Sequence, residues 1–328
     1  MSLIPLTTAR EVEHAFRIFA ERMKRGQPLP RTVGWQGGNQ TLTVCWHIRE
    51  KIWTSLELGG NRHWCGFGTT DPNAADNLVI TVEFNPPYEG VNRRCAGVFA
   101  RDDAGNIYAT HSGKVGGGRS GVGRLTFLPF YRGDNRDILL WPDGQETDVI
   151  VIGRIDGKNL VAQFAHFARE VERFKASAVK GARSAIAAPK KRFTPEFVGQ
   201  RKSYRYSGKV ESQCNHGLVV SALADSLEKR GLEYANDQVR DLFVVGPDGI
   251  SVLFEIKTEV STSSVYQAVG QLMLNGAAEA KAPKLVLVLP EKPQSQTRKA
   301  LEKLGIVVLP YAWHEAFPVF HDLDNALA

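Results

Sequence analysis

The stretch Asp241-Leu-Phe-Val-Val-Gly-Pro-Asp-Gly-Ile-Ser-Val-Leu-Phe-Glu255-Ile-Lys257 decides the reading of this chain of 328 residues. Two apolar runs flank Gly246-Pro247-Asp248-Gly249, which predicts a β-hairpin. Proline suits the first turn position, aspartate the second, and Gly249 the left-handed position that follows. With Pro247, Asp248 and Gly249 as a three-residue loop, Gly246 faces Ile250. Counting back along both strands then sets Asp241 opposite Glu255. Opposed residues share a sheet face, and Lys257, two residues on, points to the same face. Two bare carboxylates so placed repel each other, and a divalent cation between them reverses the sign of that effect. Mg²⁺ takes one or two protein carboxylates and fills its shell with waters and substrate phosphate. A lysine beside it can orient or deprotonate an attacking water, which is the chemistry of phosphodiester hydrolysis. The bland alternative is an exposed strand carrying ordinary Asp, Glu and Lys.

The flanks read as alternating helices and strands. From Asn215 to Gly231, His216, Val220, Leu223 and Leu227 fall on one helical stripe, and Gly231 closes it. Ser261 to Lys281 reads as a second helix with Ser263 or Ser264 as N-cap. Lys284-Leu-Val-Leu-Val-Leu289 reads as a strand buried on both faces. A helix from Glu291 to Leu304 ends at Gly305, and Ile306 to Leu309 forms a last short strand.

On these residues the block from about 210 to 320 resembles the PD-(D/E)XK nucleases, the fold of many restriction endonucleases, junction resolvases and repair nucleases. The resemblance rests on Asp241, on Glu255-Ile256-Lys257 and on Gln267 and Gln271 in the following helix. It implies a restriction-endonuclease-like αβββαβ core and hydrolysis of DNA dependent on Mg²⁺, with Mn²⁺ as substitute. It further implies Asp241 and Glu255 as metal ligands, Lys257 as catalytic lysine and Gln271 near the site. An acidic residue of the first helix often joins the metal shell, which points to Glu211, with His216 as the alternative. Arg240 stands where the family often has proline, and Asn275 where one branch carries tyrosine.

Length suggests two domains: a recognition domain over 1–172, a basic linker over 173–209 and the nuclease domain over 210–320. Hydrophobic residues make up 43% of the chain, enough for sizeable cores. Four cysteines form no dense pattern, which points to a reducing cytoplasm, and no apolar run is long enough to span a bilayer. Near the start, Thr8 and Glu11 read as a capping box, ahead of a stripe of Val12, Phe16, Phe19 and Met23.

The formal net charge is +6, but between Arg173 and Lys209 stand eleven Lys or Arg against Glu196 alone. That segment, with Lys190, Lys191 and Arg192 at its centre, reads as a connector that also contacts a polyanion. Residues 33–155 hold short strand-like runs among Gly, Pro, Asn and Asp, so the N-terminal domain reads as mostly β with flanking helices. Within it, His111 to Arg124 carries six glycines and three bases. Glycine-rich backbone approaches phosphate closely, so Lys114, Arg119 and Arg124 are candidates for nucleic-acid contact. Cys45-Trp-His47 and His63-Trp-Cys65 mirror each other and raise the question of a zinc site.

The expectation is a DNA endonuclease with a reading module ahead of a cutting module, as suits a restriction or phage-defence enzyme sensing a modified base. Double-stranded DNA is the expected partner, and a homodimer would bring one site to each strand. Two alternatives are a structure-selective repair or junction nuclease, and a non-catalytic DNA-binding or effector-sensing protein on the same fold.

Overall fold

A computed structural model describes residues 3–35, 37–59, 62–116, 122–131, 133, 135–181, 207–237 and 239–328. The molecule is of mixed α/β type and divides into two compact units, essentially residues 3–131 with 135–181 and residues 212–328. No helix among the described residues is long and apolar enough to cross a membrane.

The first unit opens with strand β1 (Ile4–Pro5) and helix α1 (Ala9–Met23). Thr8 caps α1 by accepting from the Glu11 amide, as the capping-box spacing requires. Strands β2 (Gln27–Trp35), β3 (Gly38–His47), β4 (Ile52–Gly59), β5 (Arg62–Gly68), β6 (Asn77–Val79) and β7 (Val82–Glu83) form a sheet in the order β6-β2-β3-β4-β5-β7. Strands β8 (Gly97–Arg101), β9 (Ile107–His111), β10 (Arg136–Leu140) and β11 (Glu146–Arg154) join β1 in a second sheet, ordered β1-β8-β9-β11-β10. Helices α2 (Arg124–Phe130) and α3 (Leu160–Gly181) complete the unit. The stripe of α1 packs into an aromatic core: the Phe19 ring lies 5.2 Å from Phe84, 5.7 Å from Phe99 and 5.4 Å from Phe164. Each such ring withdrawn from water contributes about 1.5–3 kcal/mol, so this cluster ties α1 and α3 to both sheets.

The second unit begins in helix α4 (Ser207–Glu228), which starts a full two turns before the periodic stretch read from sequence. Gly231, at φ 70°, turns the chain back. Strands β12 (Tyr234–Ala235), β13 (Leu242–Gly246) and β14 (Gly249–Ile256) lead to helix α5 (Thr262–Ala277). Strand β15 (Lys284–Leu289), helix α6 (Ser295–Lys303), strands β16 (Ile306–His314) and β17 (Phe317–Phe320) and helix α7 (Leu323–Leu327) follow. The six strands lie in sequence order, antiparallel from β12 to β14, parallel through β14-β15-β16, and antiparallel again at β17.

Alternation along the strands sorts side chains to two helical layers. Val252, Phe254 and Ile256 pack with Val219, Leu223 and Leu227 of α4. Leu253 packs with Val265, Ala268 and Leu272 of α5 and Leu301 of α6. In β15, Val286 and Val288 join the first layer and Leu287 and Leu289 the second, so this run is buried on both faces.

Three local expectations are corrected. The N-cap of α5 is Ser261, whose hydroxyl accepts from the Ser264 amide, and not Ser263 or Ser264. Strand β16 runs on to His314 and pairs with β17, which its Pro-containing sequence hid. Pairing at the β13-β14 turn continues to Gly246 opposite Gly249, with Val245 opposite Ile250. The loop is therefore Pro247 and Asp248 alone.

Candidate functional site

The shorter loop moves the register by one residue, and a β-bulge moves it back. Val245 faces Ile250 but Val244 faces Val252, so Ser251 is the extra residue, its hydroxyl donating to Val244 O at 3.3 Å. Beyond the bulge the last pair is Leu242 opposite Phe254, so the register of the ladder is the one expected, and it is reached through a bulge at Ser251 and not through the loop. Asp241 lies just before β13, where the chain bends, and its carboxylate bonds the Ile256 amide next to Glu255.

Asp241 is fixed by its backbone surroundings. Its Oδ2 accepts from the Ile256 amide at 2.7 Å, a bond from the middle of the Glu-Ile-Lys run. His216 of α4 approaches from the other layer, with Nε2 3.1 Å from Ile256 O and 3.4 Å from Asp241 Oδ2. The segment leading to Asp241 is clamped to the α5 region by two contacts. Asn275 Nδ2 donates to Val239 O at 3.0 Å. The Arg240 guanidinium bridges Asp237, at 2.8 Å, and Glu279, and lies 5.0 Å from the Phe243 ring centroid. Sequence reading gave Arg240 and Asn275 no role, because Glu279 and Val239, which they reach, lie far from them along the chain.

Glu255 is 2% exposed, which is rare for a carboxylate. Lys257 Nζ donates to Glu255 Oε1 at 2.6 Å and to Gln271 Oε1 at 3.1 Å, so α5 supplies the second acceptor that holds the ammonium. The Lys257 amide donates to Val288 O, which extends the β14-β15 pairing past the end of β14. Burial pushes the Glu255 carboxyl well above its ordinary range. The charge of Asp241 adds to that push, and Lys257 opposes it. A buried acid held beside a second acid is a group whose ionised form calls for added positive charge.

Among the described residues no three His, Cys, Asp or Glu side chains form a ready metal cage. Two carboxylates are nevertheless the usual protein share of an Mg²⁺ shell, so Asp241 and Glu255 fit a hard cation that keeps its waters and recruits substrate oxygens. Gln267 is exposed one turn before Gln271, and Gln271 is the one that reaches Lys257. Glu211 falls in α4, with its side chain outside the described residues.

Other sites expected from sequence fall in several places. Arg119, Lys190, Lys191 and Arg192 lie outside the described residues. Lys114 and Arg124 line one cavity of the N-terminal unit. Cys45 and His47 sit on β3, His63 and Cys65 on β5, with β4 between them. Cys45 faces Thr54 and Cys65 faces Leu56, while His47 faces Ile52 and His63 faces Leu58, so the two pairs are two strands apart and also slipped along them, too far for one zinc. His47 instead lies 3.0 Å from Met23 O, and the His63 ring stacks on Phe16 at 3.7 Å.

No protein-family model, curated protein or solved structure matches this chain.

Proposed function

We propose that the chain is a metal-dependent DNA endonuclease of the PD-(D/E)XK type, with residues 212–328 as the cutting unit and the N-terminal unit as the recognition part. The observation that carries the reading is the gathering of Asp241, Glu255 and Lys257 at one end of β14, Asp241 on the Ile256 amide and the Lys257 ammonium on Glu255. The order α4-β12-β13-β14-α5-β15 supports it, since helix, three strands, helix and strand is the arrangement the resemblance implies.

Asp241 and Glu255 would hold Mg²⁺ or Mn²⁺, which when bound would polarise the phosphate and stabilise the negative charge on the leaving oxygen. Lys257 would orient the attacking water, its Nζ kept in place by Glu255 and Gln271. The Ile256 amide fixes the Asp241 carboxylate through Oδ2. Arg240 and Asn275 position the Asp241 segment. A restriction or defence role fits a reading unit joined to a cutting unit, and a homodimer would serve two strands.

The test is cleavage of supercoiled plasmid with Mg²⁺ or Mn²⁺. Asp241→Ala and Lys257→Ala are each expected to lose at least about 100-fold in rate, the scale of removing one electrostatic group from a catalytic site. Salt-sensitive DNA binding should persist in both. Cutting by the variants at the wild-type rate would remove the assignment.

A further inference from the structure

The N-terminal unit holds a cavity of about 210 Å³ built on the sheet of β8 to β11. That is below the roughly 300–1,000 Å³ of sites that enclose a whole drug-sized ligand, so it has room for one ring system and leaves the rest of a ligand at its mouth. Its inner wall is apolar, from Val98, Leu139, Trp141 and Val149. Three cations also line it, Arg93, Lys114 and Arg124, and no carboxylate does among the described residues.

Two buried polar atoms at this cavity lack hydrogen-bond partners among the described residues: the Ser112 hydroxyl and Arg93 Nε. Ser112 is 8% exposed and its backbone is fully used, the amide donating to Ala96 O and the carbonyl accepting from Arg124 Nε at 2.9 Å. Its hydroxyl is therefore left over in a place where an unmet polar group costs stability. Arg93 is set rigidly. Its guanidinium carbon lies 5.2 Å from the Trp141 ring centroid, it pairs with Asp143, and its carbonyl accepts from Lys114 Nζ. Trp141 is held in turn, its Nε1 donating to Thr147 Oγ1 at 2.9 Å.

We propose that this cavity is a binding site for a single nucleotide, with its phosphate on Arg93, Lys114 and Arg124 and its base in the apolar recess against Ser112. Inorganic phosphate would leave the recess unfilled, and a neutral apolar ligand would leave the Ser112 hydroxyl and Arg93 Nε without partners and bring no anion to the three cations. The nucleotide can arrive free or extruded from a DNA strand, since extrusion exposes the same two groups. The inference deepens the nuclease reading by giving the recognition unit its ligand class, and its DNA arm rests on that reading.

The experiment is calorimetric titration of the full-length chain with each deoxynucleoside monophosphate and with inorganic phosphate. In parallel, emission is followed from 2-aminopurine placed opposite an abasic position in a duplex. At least one mononucleotide is expected to bind 10-fold or more tighter than phosphate, or the duplex probe to brighten on binding. The first result assigns a free nucleotide and the second a strand-borne one. Lys114→Glu, an exposed change, should weaken whichever is seen by 10-fold or more, and Ser112→Val should do so in part while circular dichroism reports an intact fold. Asp241→Ala should bind the probe as wild type does, and probe binding by a wild-type chain that fails to cut plasmid would sink the nuclease reading alone. No response from either probe, equal binding of phosphate, or wild-type binding by Lys114→Glu would overturn the nucleotide site.

Discussion

At the scale of single residues, the second unit places a buried acid where folding alone gives no reason for one. Glu255 lies beside Asp241 on a strand whose neighbouring side chains are Phe, Leu and Val; Lys257 offsets the charge of Glu255, and His216 approaches Asp241. This arrangement predicts an inverted mutational sign. Asp241→Asn keeps an oxygen for the Ile256 amide and removes a like charge, so the metal-free variant should melt at or above the wild-type temperature. Mn²⁺ should raise the wild-type melting temperature, by about 2.7 kcal/mol of stabilisation at a hundred times its dissociation constant, and leave the variant unmoved. A destabilised Asp241→Asn that still responds to Mn²⁺ would show Asp241 to be a structural residue only. Asp241, Glu255 and Lys257 were legible in the sequence because strand alternation has a period of two. Of their supports, His216 was offered by the resemblance as the alternative to Glu211, whereas Asn275 and the Arg240–Glu279 contact join separate elements and no local pattern marks them.

At the scale of elements, the hairpin shows how a correct register can follow from an incorrect turn. The loop is one residue shorter than its Gly-Pro-Asp-Gly sequence suggests, and Ser251 restores the count. A bulge of this kind sends Ile250 and Val252 to opposite layers, Ile250 with the α5 cluster and Val252 with the α4 cluster. Deleting Ser251 should therefore give a regular hairpin with every inward side chain kept, at a cost of about 1 kcal/mol. Inserting one alanine between Phe254 and Glu255 should turn Glu255 and Lys257 to the α4 layer and abolish cleavage. Plasmid cutting and thermal melts of the two variants check this, and an inactive Ser251 deletion that folds normally would refute it. Helix starts were less legible than helix bodies. The N-cap of α5 was misplaced because Ser261, Thr262, Ser263 and Ser264 all have capping hydroxyls, and only the backbone turn selects Ser261.

At the scale of the whole molecule, the N-terminal core buries ionisable groups that should set its pH dependence. Burial raises the Glu170 carboxyl to about 7, against the pull of Arg173 and Arg169. Burial lowers the His111 imidazole to about 4. The folded state thus keeps Glu170 protonated where the unfolded chain ionises it, and that stabilisation is lost as pH rises from about 4.5 to 7. It keeps His111 neutral where the unfolded chain charges it, and that stabilisation is lost as pH falls from 6.5 to about 4. Each effect is of order 3 kcal/mol, and over their shared window they oppose. Glu170→Gln should match wild type near pH 4.5, exceed it by roughly 3 kcal/mol at pH 8 and show a steeper loss on acidification. Parallel Tm curves for the two proteins across this range would contradict the assignment.

The sequence by itself determined the alternating order of helices and strands in the second unit, the face shared by two acids and a lysine, and the doubly buried strand at 284–289. These follow from periodicities of two and 3.6, which are properties of the backbone and need no distant partner. The tertiary structure alone decided the bulge at Ser251, the separation of Cys45 and His47 from His63 and Cys65 by β4, and the meeting of Arg93, Ser112 and Trp141 around one cavity. Each depends on which strands lie side by side, and that choice is made by burying side chains far apart along the chain, a non-local quantity that no window of residues contains.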